Sequence, residues 1–119
     1  MNNRIRLPNH QQLREFMNMS CLLTSHKFTL HLITTDEETQ DLLILAGEQL
    51  EILIPPDGQV YYNTTYSNDQ TGRWQLKSYV LKHRDDTVEL HKLCEAIKLD
   101  AKPLDAHDFI EILHCQSQT

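Results

Sequence analysis

A chain of 119 residues that is 39% hydrophobic and 24% charged, with three Gly and four Pro, fits one globular domain and excludes disordered or fibrous classes. Its net charge of −6 argues against binding nucleic acid or a polybasic membrane anchor, and its longest apolar run, Leu42 to Ala46, is far short of the ~18 residues that span a bilayer. Three cysteines (Cys21, Cys94 and Cys115) form an odd, irregularly spaced set, which fits the reduced thiols of a cytoplasmic protein better than a disulfide framework.

Residues 1–8 hold Arg4 and Arg6 with no apolar stretch behind them, so no secretory signal is read and this end is expected to be flexible. Asn9 is a candidate N-cap for an amphipathic helix over residues 10–20. Leu13, Phe16, Met17 and Ser20 mark its apolar face, and Gln11, Gln12, Arg14, Glu15 and Asn18 its polar one. From His26 the period becomes two, and Phe28, Leu30 and Leu32 predict a strand with one buried face. Residues 35–47 fit either a helix capped by Thr35 or a hairpin loop followed by strand 42–45. The short apolar run and a Gly47-Glu48 type II′ turn favour the strand.

The alternation of Leu50, Ile52 and Ile54, then Pro55-Pro56-Asp57-Gly58, then Val60 and Tyr62, predicts a hairpin in which Ile52 faces Tyr62. Residues 63–72 read as a loop. Trp74, Leu76, Ser78 and Val80 alternate with Arg73, Gln75, Lys77 and Tyr79, which predicts another strand. Beyond Asp85-Asp86, the stripe Leu90, Leu93, Cys94 and Ile97 predicts a helix capped by Asp86 or Thr87. Pro103 interrupts it. Asp105 then caps a last helix carrying Phe109, Ile110, Ile112 and Leu113, with residues 116–119 expected to be flexible. The fold class is therefore α+β, one domain over residues 1–119: an N-terminal helix, an antiparallel meander of four to five strands, and two C-terminal helices packed on one sheet face.

The charge is unevenly placed. Residues 28–72 hold eight carboxylates (Asp36, Glu37, Glu38, Asp41, Glu48, Glu51, Asp57 and Asp69) and no Lys or Arg, whereas residues 73–84 hold Arg73, Lys77, Lys82 and Arg84 and no carboxylate. The acidic belt is either a solubilising surface or a face for a basic partner. The basic strand either pairs across the sheet with a carboxylate such as Glu51 or meets an acidic partner or single-stranded nucleic acid. His91 and Cys94 lie three apart on one predicted helix, with His107, His114 and Cys115 on the next. They are the residues a metal or an enzyme site would use, although their spacing matches no zinc pattern. The acidic runs at residues 36–38 and 85–86 sit where turns and caps need them. With Gly at 47, 58 and 72 alone, no glycine-rich phosphate loop exists.

These readings converge on a non-catalytic cytoplasmic module that binds another protein, with no cofactor and no metal. Its expected contact residues are Tyr61, Asn63, Tyr66, Arg73, Lys77 and Tyr79, types enriched at interfaces. Leu53 falls on the polar side of its strand, so it is either covered by a helix or exposed in a homodimer contact. Two rivals stand beside this reading: a metal-binding domain or enzyme built on the late His and Cys residues, and a nucleic-acid binder acting through residues 73–84.

Overall fold

The computed structural model describes residues 7–64 and 71–117. The elements run α1 (His10–Ser25), β1 (Leu30–Thr35), β2 (Leu42–Ala46), β3 (Leu50–Ile54), β4 (Tyr61–Thr64), α2 (Thr71–Lys82), α3 (Thr87–Asp100), β5 (Lys102–Pro103) and α4 (Ala106–Ser117). The five strands form one antiparallel sheet in the order β1-β2-β3-β4-β5. The α+β plan read from the pattern is the observed one. The expected flexible ends fall mostly on 1–6 and 118–119, outside the described residues, and 116–117 belong to α4.

Helices cover both faces of the sheet, not one. Ile44, Ile52, Ile54 and Tyr62 point into a core shared with Met19 and Leu23 of α1 and Phe109 and Leu113 of α4. Leu32, Leu43, Leu45 and Leu53 point the other way, into a core shared with Val80 of α2 and Leu90, Leu93, Cys94 and Ile97 of α3. Because successive strand residues alternate faces, β2 and β3 are buried at every position. Leu53 is thus covered by helices, which removes the ground for expecting a dimer contact there.

The β3–β4 hairpin has the predicted register, with Ile52 opposite Tyr62, and Gly58 closes its turn at φ 84° with its N–H donating to the Pro55 carbonyl at 2.9 Å. The β2–β3 connection has three residues rather than two, since Ala46 pairs with Leu50. There Gly47 takes φ 58°, and a Cβ would stand 2.8 Å from the Phe28 ring, so both conformation and space require glycine. The first strand starts later than its alternation suggests. A bulge at His31 shifts the register between Leu30 and Leu32, so these two leucines face opposite cores instead of sharing one.

The largest departure is residues 71–82, which form a helix and not a strand. Its inward positions are Arg73, Lys77 and Val80, a stripe at helical spacing in which two of the three are cations. An apolar count does not register such a stripe, and the period-two alternation of Trp74, Leu76, Ser78 and Val80 is accidental.

Candidate functional site

The site is built around what α2 buries. Glu51 points from mid-β3 toward α2 and is almost fully buried. Its Oε1 accepts from Arg73 Nη2 in a short ion pair and from Asn63 Nδ2 at 3.1 Å. Arg73 Nη1 in turn donates to Asp100 Oδ2, at the end of α3, at 2.6 Å. Burial pushes the Glu51 carboxyl up, against the pull of the Arg73 guanidinium. One turn along α2, Lys77 is 3% exposed, donates from Nζ to the Glu48 carbonyl at 3.1 Å, and stands 4.2 Å from the Trp74 ring centroid. Burial holds its amine below the usual lysine range, with Glu51 pulling the other way. Two cations and Glu51 therefore pin α2 to the sheet and to the β2–β3 turn.

Above this network lies an open groove of about 460 Å³, lined by His31, the Gly47–Gln49 turn, Trp74, Lys77 and Leu81. That size falls in the range of small-ligand and side-chain pockets. The bulge in β1 sets His31 on one wall, and α2 sets Trp74 and Leu81 on the other. Gln49 Oε1 beside them is shielded from solvent and has no donor among the described residues.

The expected contact residues do not form one surface. Arg73 and Lys77 turn inward, so the strand face drawn through them does not exist, and neither does a basic strand for nucleic acid. The pairing with Glu51 that the sequence offered as one option is present, made from a helix instead of across the sheet. Asn63 serves Glu51. Tyr61 lines a separate hollow with Leu53, Pro55, Lys98 and Ala101. Tyr79 is exposed on the outer side of α2, stacked on His83 at 4.3 Å, with its hydroxyl donating to Asp86. Tyr66 lies outside the described residues.

The acidic belt is likewise divided. Asp36, Asp41 and Glu51 are buried and matched to His91, Lys98 and Arg73, while Glu37, Glu38, Glu48 and Asp57 are exposed. Asp69 lies outside the described residues. His91 Nδ1 is 2.8 Å from Asp36 and Nε2 is 3.4 Å from Glu38, which ties α3 to the β1–β2 turn. Cys94 is fully buried in the same region, and burial pushes its thiol far above the usual range, the opposite of an activated nucleophile. His107 and His114 sit on α4, whose core is on the other side of the sheet from that of α3. The late histidines and Cys94 are therefore not assembled, and no group of three or more His, Cys, Asp or Glu among the described residues is placed to hold a metal. No helix among the described residues is long and apolar enough to cross a membrane.

The groove and its Trp74 wall are absent from the expected site because the alternation reads residues 73–80 as a strand; Lys77 is in that site, but on an outward face. The available signal was the series Arg73, Leu76, Lys77, Val80 and Leu81, which is a helical stripe once the aliphatic stems of Arg and Lys count as buried surface. Residues 7–61 match the model of a family described as a domain of unknown function (DUF6888). The match spans α1 through β3 and ends at the first residue of β4, so α2, α3 and α4 lie beyond it. No curated protein and no solved structure matches the chain.

Proposed function

We propose that this protein is a non-catalytic, cytoplasmic protein-binding module whose contact site is the groove between α2 and the β2–β3 turn. The observation that carries this reading is the groove itself. A half-buried Trp74–Leu81 wall lies over a lysine already engaged with Trp74 and the Glu48 carbonyl. Trp is the residue type most often found anchoring interfaces, and a rigid wall loses little entropy on binding. Turning the half-buried Gln49 side chain into the groove brings its Oε1, which has no donor among the described residues, to a backbone or side-chain N–H of the bound segment. The buried ionisable groups beneath the groove are committed to packing, Arg73 and Glu51 to each other and Lys77 to the turn, which leaves only the exposed His31 and Glu48 on its walls. That commitment favours recognition over turnover. The bound segment presents an apolar side chain to Trp74 and Leu81 and an N–H to Gln49.

The test is selection of a phage-displayed random peptide library on the full chain, with affinities of the selected peptides measured by calorimetry. Peptides of micromolar affinity are expected to quench the single Trp, Trp74. Trp74→Ala and Leu81→Glu are expected to weaken them at least tenfold while leaving the circular dichroism spectrum unchanged. Failure to select any peptide, or binding indifferent to both substitutions, overturns the assignment.

A further inference from the structure

Among the described residues, the buried charges are paired with one exception. Asp36 meets His91, Asp41 meets Lys98, and Glu51 meets Arg73, which also reaches Asp100. Lys77 is buried as deeply as these, yet it forms no ion pair among the described residues. Its ammonium has one acceptor, the Glu48 carbonyl, and the face of the Trp74 ring. A carbonyl takes up one of the three N–H donors and leaves the charge unmatched. Burying an ammonium on those terms is costly, which is why its amine is held low even with Glu51 and Glu48 pulling it up against Arg73. A cation in that condition is stabilised by any anion that reaches it.

Lys77 can be reached, because it lines the groove beside the Trp74–Leu81 wall. Its Nζ stands 4.2 Å from the Trp74 ring centroid. A ligand that uses both the wall and the ammonium must therefore carry its apolar group and its anion close together. The last residue of a polypeptide does so, since its carboxylate and its side chain leave the same Cα. An internal Asp or Glu does not, because successive side chains of an extended segment point to opposite sides and its apolar neighbour is turned away.

We infer, on the strength of the groove's proposed role as a protein-binding site, that what enters it is the C-terminal end of a polypeptide, with the terminal carboxylate on Lys77 Nζ and an apolar last side chain against Trp74 and Leu81. Capture of a chain end by its carboxylate is a recurring mode of peptide recognition. The N–H of the same last residue supplies the donor that Gln49 Oε1 lacks among the described residues. Glu48 also lines the groove and opposes an anion, but its side chain is exposed and water and salt screen it. The attraction to the buried ammonium is screened far less.

The experiment titrates the isotopically labelled full chain with three sets of acetylated tetrapeptides, followed by NMR through the indole N–H of its single Trp, Trp74. The first set is Gly-Ser-Ala-X with a free carboxylate, X being Val, Leu, Met or Phe. The second is the same set amidated, and the third, Gly-Ser-Asp-X amide, carries its carboxylate on a side chain. The free acids are expected to bind at least tenfold more tightly than their amides, and the aspartate amides no better than the plain ones. In Lys77→Met, an apolar chain of similar length, the acids are expected to lose that advantage. Acids and amides that bind the wild-type chain alike overturn the inference, whether or not the variant folds, and leave the peptide groove standing. Aspartate amides that match the free acids overturn it by moving the carboxylate into the interior of the segment. Absence of binding in all three sets overturns it as well, and the library selection then reads separately whether the groove takes peptides.

Discussion

At the scale of single residues, Gln12 holds more of the structure together than its chemistry announces. Its side-chain oxygen accepts from the Asn9 N–H at 3.0 Å, and its own N–H donates to Asn9 Oδ1 at 2.9 Å, completing a capping box. The same amide donates to the carbonyls of Gln40 and Ile54 at 2.8 and 2.7 Å, so one buried side chain ties the start of α1 to the ends of two hairpins. Gln12→Ala is expected to destabilise the fold by about 2–4 kcal/mol, from a lost cap and buried carbonyls left without donors. Urea denaturation of wild type and variant measures it. The sequence placed Asn9 correctly and Gln12 on the wrong face. The helical spacing of Leu13, Phe16, Met17 and Ser20 puts them on the apolar face, whereas the helix is rotated so that Gln12, Met19 and Leu23 are buried and Leu13 and Met17 are exposed. A polar residue whose hydrogen bonds are all met inside the protein is invisible to a hydrophobicity pattern.

At the scale of elements, the hairpin at residues 50–62, the caps at Asn9, Asp86 and Asp105, and the stripe on α3 were legible because each rests on local chemistry. α2 was not, because its buried face is held by charge instead of apolar contact. That reliance has a measurable sign. Arg73→Ala removes the counter-charge of the buried Glu51, which must then either stay ionised without it or take up a proton, and is expected to cost about 3–5 kcal/mol. Glu51→Leu combined with Arg73→Met removes both charges and is expected to recover most of that loss, since apolar replacement of a buried pair is often neutral or stabilising. Thermal unfolding of the three proteins decides it. A double variant no more stable than Arg73→Ala would mean that the pair does more than pin α2 to the sheet.

At the scale of the whole molecule, the two helical layers are fixed to the sheet by different means, and the α3 layer carries a titratable tie. The hydrogen bond to Asp36 raises His91 above its ordinary 6.5. Asp36 is pushed up by burial, but His91 and the Glu38 N–H outweigh this and hold it below its ordinary 3.8. A base held above its ordinary value stabilises the fold fully below 6.5 and loses that contribution as pH rises through its folded value. An acid held low contributes above 3.8 and fails as pH falls through its folded value. Both act together between those limits. The advantage of wild type over His91→Gln is expected to be greatest in that window and to shrink in alkali, as read from urea midpoints across pH. The double covering of the sheet was only partly legible: the unbroken run Leu42 to Ala46 and the misfit Leu53 both signalled strands covered on two sides. Where each helix went depended on contacts distant in the chain, which periodicity does not encode.

The two layers are also dealt out differently along the polypeptide. The segment that matches the family model, residues 7–61, carries its own lid for one side of the sheet in α1. For the other side it has none, since α2 and α3 follow it. Cut loose, that segment would display Leu32, Leu43, Leu45 and Leu53 as a bare greasy plane. Wherever this half-sandwich is found in another polypeptide, a second slice has to come from somewhere: from sequence downstream, or from a neighbouring molecule.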